Sequence, residues 1–245
     1  MAVIAKVGDE IKLPCNSGIR PADISLALHY IYWQIKVKNE DTDRVVISYA
    51  LGTEEHDSKH PHYRNRTRMN EKNFTLSISP VKVSDEGTYR CVILKDRKIG
   101  DGSINLTVVA HFRKPAIYVE TPPNTCGPTQ LTLSCSFHEG YPAPKMLGSI
   151  NNETVEWNYT VTFDNQTELY NVTGQMQINV TEDIFVQCSA VYAGFKESVN
   201  LTWSIPKECP LPLPPASPPL HGIIIASSVI FIFLVAGLII VLQQC

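Results

Sequence analysis

Short stretches of alternating apolar and polar residues follow one another along most of the chain. A period of two predicts β-strands with one buried face, because successive side chains of a strand point to opposite faces. Turn residues separate the stretches, and no long helical period competes with them. Four stretches contain a cysteine; they span residues 11–15, 89–93, 131–137 and, less regularly, 185–188. The pattern therefore predicts an all-β protein.

The spacing of these cysteines divides the strands into two domains. Cys15 and Cys91 are 76 residues apart, whereas the next pair is separated by 53. In an immunoglobulin sandwich the second cysteine lies on strand F, two residues after a tyrosine, and a tryptophan on strand C packs against the disulfide. Tyr89 and Trp33 fit these two roles. The longer span leaves room for the extra strands of a variable-type domain, and the shorter span suits a constant-type domain.

We therefore expect two tandem immunoglobulin-like sandwiches, each closed by one disulfide. The expected pairs are Cys15–Cys91 and Cys135–Cys188. Just before strand F, Asp85 is placed to pair with a basic residue at the start of strand D, for which Arg66 is the candidate.

The second domain has no tryptophan where strand C is expected. Its disulfide is predicted to pack on aliphatic side chains instead, among Met146, Leu147 and Ile150. Trp157 and Trp203 come too late in the sequence to take the tryptophan's place in this interpretation.

The rest of the chain predicts a membrane anchor. We divide the sequence into a variable-type domain (1–110), a constant-type domain (111–206), a proline-rich stalk (207–221), a transmembrane helix (222–242) and a cytoplasmic stub (243–245). Prolines favour an extended stalk, although a ligand for proline-binding modules is an alternative. The uncharged span is long enough to cross a bilayer. We expect a single-pass type I protein of the plasma membrane with an extracellular N-terminus, lacking its signal peptide in this sequence.

Nine Asn-x-Ser/Thr sequons indicate a glycosylated extracellular surface, whereas chance would give about two. They begin at Asn65, Asn73, Asn105, Asn152, Asn158, Asn165, Asn171, Asn179 and Asn200. The cysteines fit the same oxidising compartment. We expect Cys126 and Cys209 to form a third bridge, with an intermolecular bond through Cys209 as the alternative. Cys245 is a candidate for palmitoylation.

Charge and motifs exclude several classes of function. A net charge of −3 argues against nucleic-acid binding, which needs a basic face. The sequence has no Gly-rich phosphate loop, no G-x-S-x-G elbow and no H-E-x-x-H motif, so we expect neither an enzyme nor a cofactor. Three histidines in a proline-containing loop, His56, His60 and His62, resemble a metal site, but we interpret them as solvated and expect no metal.

The apolar run at residues 91–94 indicates that strand F carries apolar side chains on both faces. If Tyr89, Cys91 and Trp33 face the core, the outward residues of strands C and F are Tyr30, Tyr32, Gln34, Arg90, Val92 and Leu94. On the next strand, alternation places Val45, Ile47 and Tyr49 inward and Val46, Ser48 and Ala50 outward. Strands C and F are neighbours in this fold, so these side chains form one exposed patch. Such patches mark binding sites, filled either by another protein or by a second copy of the same domain.

Motifs in both domains resemble the B7 family of T-lymphocyte activation antigens. They are "IYWQ", "LGTEEHDSKHPHYRNRT", "SDEGTYRCVILK", "GYPAPK" and "TELYNVT", in this order within residues 3–206. The resemblance implies a cell-surface ligand that regulates T-cell activation by binding the costimulatory receptor CD28 and its inhibitory homologue, cytotoxic T-lymphocyte antigen 4. It implies receptor contacts at Tyr32, Gln34, Val46, Val92 and Leu94. The alternative is an adhesion molecule of the immunoglobulin superfamily that associates with itself.

Some segments depart from the family pattern. The segment "KNEDTDR" is longer and more acidic than expected, and the loop "KDRKIGDG" is short. A glycan at Asn105 would crowd the lower part of the patch. The second domain favours the CD86 type, whereas "SDEGTYRCVILK" favours the CD80 type, so the type within the family stays open.

Overall fold

The computed structural model describes residues 1–36, 42–122 and 129–205, and these residues fold into two β-sandwiches. The strands of the first are β1 (Ala2–Lys6), β2 (Ile11–Leu13), β3 (Tyr30–Lys36), β4 (Arg44–Ala50), β5 (Thr53–Glu54), β6 (Thr67–Met69), β7 (Leu76–Ile78), β8 (Gly87–Leu94) and β9 (Lys98–Val109). A six-stranded sheet in the order β1-β9-β8-β3-β4-β5 packs against a three-stranded sheet, β2-β7-β6. Strands β4 and β5 are the additional strands of a variable-type domain.

The second sandwich consists of two four-stranded sheets. Its strands are β10 (Arg113–Glu120), β11 (Thr129–Gly140), β12 (Lys145–Ile150), β13 (Glu153–Val155), β14 (Asn158–Asp164), β15 (Leu169–Val180), β16 (Ile184–Tyr192) and β17 (Phe195–Trp203). The sheet orders are β10-β11-β15-β14 and β13-β12-β16-β17. The predicted all-β immunoglobulin-like fold is confirmed.

The described residues contain only three-residue 3₁₀ helices, at Pro21–Asp23, Leu26–Leu28, Pro61–Tyr63 and Val83–Asp85. None of these helices has the length or apolarity to span a membrane. The predicted stalk, transmembrane helix and stub lie outside the described residues, as do Cys126, Cys209 and Cys245.

The first domain has the core that its sequence predicts. The disulfide Cys15–Cys91 joins the two layers with a Cα–Cα distance of 5.5 Å. Trp33 is fully buried, and its Nε1 donates a hydrogen bond to the carbonyl of Phe74 at 2.9 Å. The Tyr89 hydroxyl donates to the carbonyl of Asp85 at 2.9 Å, which is the tyrosine corner.

The Asp85 carboxylate is fully buried, and its charge is balanced by the predicted partner. Arg66 contacts both carboxylate oxygens through its two terminal nitrogens. The backbone N–H of Lys82 donates to Asp85 at 2.8 Å, and Nε2 of His62 lies 2.9 Å from the other oxygen. A buried carboxylate needs such compensation, because leaving it unpaired costs several kcal/mol, about 3 to 5 when one partner is removed. The Arg66–Asp85 pair is therefore confirmed, and His62 is a structural part of it rather than a solvated loop residue.

The disulfide Cys135–Cys188 joins the layers of the second domain, with a Cα–Cα distance of 6.6 Å. On β12 the residue directly opposite Cys188 is Gly148, not one of the predicted aliphatic side chains. The indole of Trp157 occupies the space over this glycine, where a Cβ would overlap the ring. Trp157 is only 6% exposed and belongs to the core that contains both cysteines.

The prediction that Trp157 comes too late in the chain was therefore wrong. Strand β13 pairs with β12 and turns the chain back along it, which brings the next residues over the gap at Gly148. Met146 does pack in the core as predicted, whereas Leu147 points to solvent.

A paired backbone joins the two sandwiches. Ala110 and Tyr141 exchange two hydrogen bonds, of 3.0 and 2.9 Å. Beside them Phe112 is buried, its ring 4.9 Å from that of Tyr192 between centroids. Nδ1 of His111 lies 2.8 Å from the Tyr192 hydroxyl and 3.2 Å from the Glu197 carboxylate. The two backbone hydrogen bonds thus tie the end of the first domain to the second, while the aromatic and polar contacts lie within the second domain beside them.

Candidate binding face

The outward side chains of β3 and β8 form the centre of the predicted patch. In the antiparallel register Tyr30 lies opposite Leu94, Tyr32 opposite Val92, and Gln34 opposite Arg90. The residues between them are buried: Ile31, Trp33, Ile35, Cys91 and Ile93. Directly opposed side chains in such a ladder have Cβ atoms about 5 Å apart, so these six form one continuous surface. The predicted outward placement of Tyr32, Gln34, Val92 and Leu94 is confirmed.

Two tyrosines supply most of the aromatic area at this centre. The rings of Tyr30 and Tyr32 are nearly parallel, with an interplanar angle of 10° and centroids 6.5 Å apart. Partial burial, together with the nearby Glu55 carboxylate, raises the pKa of the Tyr32 hydroxyl above its usual value. Since that usual value is already near 10, Tyr32 stays protonated at physiological pH and presents both a donor and an acceptor.

Strand β9 adds charge to the patch. Asp101 lies opposite Val92, and its carboxylate accepts a hydrogen bond from Nε of Arg90 at 2.9 Å. Nζ of Lys98 lies 3.5 Å from the same carboxylate. The bond from Arg90 lowers the pKa of Asp101, so the ion pair is present at neutral pH. Together these strands form an outer face that consists of Tyr30, Tyr32, Gln34, Arg90, Val92, Leu94 and Asp101.

Val46 is not part of this face, and its predicted outward placement was wrong. Trp33 pairs with Ile47 but Gln34 pairs with Val45, so Val46 is an extra residue at a β-bulge. The bulge turns Val46 inward beside Ile47, and both side chains are fully buried. Val45 was predicted to face inward, but it shares its face with Gln34 and is partly exposed. A Val46 contact with a receptor is excluded by its burial.

Ser48 was also predicted to be outward and accessible. It does lie opposite Tyr32, but the segment after β5 covers it. Its hydroxyl is 2.6 Å from that of Ser58, and its carbonyl accepts from the N–H of Glu55 at 2.9 Å. The accessible part of the face is therefore narrower at β4 than alternation predicts.

Sequence reasoning missed the Arg90–Asp101 ion pair. The alternation of Gly100, Asp101 and Gly102 in the sequence was a signal for it. The two glycines lie opposite Ile93 and Cys91, which face the core. That register turns Asp101 outward between them. At the other end of β9, Asn105 is exposed as predicted and accepts a hydrogen bond from the Thr88 hydroxyl at 2.9 Å.

The sequon asparagines are accessible. Asn171 is partly buried, and the other eight are exposed. Glycosylation at these positions stays a prediction. Of the three loop histidines, His56 is exposed and His62 is bound to Asp85. Among the described residues no cluster of histidine, cysteine, aspartate or glutamate has the arrangement of a metal site.

Comparison with known proteins agrees with this fold. Residues 1–109 match the immunoglobulin V-set domain family. The chain is 32% identical to mouse T-lymphocyte activation antigen CD86 over 71% of its length, and 31% identical to rabbit T-lymphocyte activation antigen CD80 over 85%. It is also similar to a chain in the crystal structure of ICOS in complex with ICOS-L and an anti ICOS-L VNAR domain, with a TM-score of 0.65 and 25% identity. That match covers 82% of this chain and 98% of the other.

The fold and the V-set match define an immunoglobulin-fold protein with a variable-set first domain. The similarity to CD80 and CD86 identifies its family: the chain belongs to the B7 family of T-lymphocyte activation antigens. It spans 56% of the length of mouse CD86 and 67% of that of rabbit CD80.

Proposed function

We propose that this protein is a costimulatory ligand of the cell surface that regulates T-cell activation by binding CD28 and cytotoxic T-lymphocyte antigen 4 through its outer face. It acts by binding and not as an enzyme. We also propose that it is a type I glycoprotein of the plasma membrane, as its apolar segment at 222–242 and its sequons predict. Similarity to the activation antigens favours a receptor ligand over self-association.

The observation that carries this proposal is the aromatic and apolar centre of the outer face. Tyr32 and Val92 lie directly opposite each other, with Tyr30 and Leu94 beside them. Polar groups flank the centre at Gln34 and along β9. An apolar centre with a polar rim is the usual composition of a protein interface, and tyrosine is enriched among the residues that dominate binding energy.

Truncation of Tyr32 tests the proposal. Tyr32→Ala removes a rigid aromatic contact and is expected to cost about 2 kcal/mol of binding, which is about thirtyfold in affinity. Stability should change by less than about 0.5 kcal/mol, because the side chain faces outward. The measurement is a titration of soluble receptor ectodomains on cells that display the full chain.

Tyr118→Ala is the matched control, since Tyr118 is a 64% exposed tyrosine on the second domain. It should leave receptor binding unchanged. Equal affinity of the Tyr32→Ala variant and the unmodified chain for both receptors would contradict the proposed face. If soluble copies of the chain bind the displaying cells while neither receptor does, self-association is the better account.

A further inference from the structure

An apolar row lies along one side of β14 in the second domain. Tyr159, Val161 and Phe163 have the inward orientation, since they pair with Gly174, Val172 and Tyr170 of β15. They are nevertheless 37%, 37% and 47% exposed. Strand β14 is at the edge of its sheet, and the facing sheet ends at the three-residue strand β13. The described part of the chain thus leaves this row incompletely covered.

The row leads into a tight turn that contains a sequon. The N–H of Glu168 donates to the carbonyl of Asp164 at 2.8 Å, and Glu168 has a φ of 59°. The Asp164 carboxylate accepts from the N–H groups of Gln166 and Thr167, at 2.8 and 3.4 Å. The bond from Gln166 lowers the pKa of Asp164. These contacts fix the turn, and all three sequon residues, 165–167, are exposed in it.

Asn165 differs from the other sequon asparagines in what precedes it. Phe163, two residues earlier, is exposed, and its ring centroid lies 4.9 Å from that of Tyr170. Asn65 also follows a tyrosine at this spacing, but Tyr63 is fully buried. At the other seven sequons the residue two positions earlier is Glu, Ser, Ile, Leu or Gln. Asn165 is the first residue of the turn after β14, two positions from Phe163, so their Cα atoms are at most about 7 Å apart.

We propose that Asn165 carries an N-linked glycan whose first N-acetylglucosamine packs on the ring of Phe163 and stabilises the second domain. The pyranose presents C–H groups on one face, which match the negative face of an aromatic ring and remove apolar area from water. The linkage forms between Nδ2 of Asn165 and C1 of the sugar. The C1–O bond to a lipid pyrophosphate donor breaks, that oxygen leaves with the electron pair, and a base of the transferase takes the Nδ2 proton.

The test combines glycopeptide mass spectrometry with thermal unfolding of the full chain purified from mammalian cells. Asn165 should be occupied. Asn165→Gln should lower the unfolding midpoint of the second domain by about 4 °C when Phe163 is present. In the Phe163→Leu background the same change should have almost no effect. Phe163→Leu keeps apolar bulk and a folded domain while removing the aromatic face.

Asn179→Gln is the matched control, because Asn179 is exposed on β15 and follows Gln177 at the same spacing. Its effect on the midpoint should be the same with and without Phe163. Trimming each glycan to its first sugar should preserve the stabilisation by Asn165. An unoccupied Asn165, or an Asn165→Gln shift that is equal in both backgrounds, overturns the proposal. Receptor binding does not enter this test, so its outcome is independent of the proposed function.

Discussion

The core of the second domain places a tryptophan beside its disulfide from an unexpected sequence position. Gly148 stands opposite Cys188, at the place where Trp33 stands opposite Cys91 in the first domain. The indole of Trp157 fills the missing volume from the far side of a hairpin. Its Nε1 is buried and has no hydrogen-bond partner among the described residues. The site therefore combines close packing with an uncompensated polar group.

A double-mutant cycle measures this packing. Gly148→Ala forces a methyl group against the indole and should destabilise the protein by about 1 to 3 kcal/mol. In the Trp157→Phe background the cost should fall by at least about 1 kcal/mol, since the indole edge is gone. Thermal unfolding of the four variants gives the coupling. An equal cost of Gly148→Ala in both backgrounds would show that the two residues do not touch.

Single residues were predictable where their roles depend on local spacing. Tyr89 precedes Cys91 by two positions in the strand F motif, and Asp85 precedes that strand in the same motif. The two disulfides follow from the same pattern. Trp157 was not predictable in this way, because its position depends on the pairing of β13 with β12. No alternation in the sequence marks that hairpin.

At the scale of strands, alternation predicts the buried face where pairing is regular and fails where pairing is irregular. Alternation gave the correct faces of β3 and β8, which pair without interruption from Tyr30 to Lys36. It failed on β4, where a bulge at Val46 reverses the predicted orientations of Val45 and Val46. It also missed the covering of Ser48 by residues 55–58, because alternation describes a strand and not what lies on it.

The bulge predicts opposite behaviour of two adjacent valines. Val46→Asp places a charge in the core and should prevent folding or cost more than about 3 kcal/mol, since the new carboxylate has no partner there. Val45→Asp should leave stability within about 1 kcal/mol and weaken receptor binding, because Val45 lies opposite Gln34 at the edge of the outer face. Cell-surface expression and receptor titration separate the two effects. If Val46→Asp is expressed normally at the cell surface and Val45→Asp is not, the register between β3 and β4 is contradicted.

At the scale of the whole molecule, chain direction supports the predicted third disulfide. Strand β10 begins next to the junction at Phe112, and β17 begins beside His111, whose ring lies 5.1 Å from that of Phe195. Both strands run away from the first domain. Cys126 follows β10 and Cys209 follows β17, so both come after the same end of the sandwich in sequence.

Peptide mapping of the non-reduced chain should find Cys126 linked to Cys209. Cys209→Ser should then leave one free thiol at Cys126 and lower stability by a few kcal/mol, about 4 on the loop-entropy estimate. Non-reducing electrophoresis provides the alternative outcome. A covalent dimer that disappears in Cys209→Ser would show that Cys209 joins two chains instead.

The backbone pairing of Ala110 with Tyr141 has a consequence for binding between two cells. A tethered ligand meets its receptor in a thin gap, and its effective concentration there depends on how widely the first domain swings. The two hydrogen bonds limit that swing. A free hinge would lose orientational entropy when the ligand binds its receptor. Here that entropy is already lost when the protein folds. A loosened junction would reduce avidity between cells, while the affinity of the isolated pair in solution would stay the same.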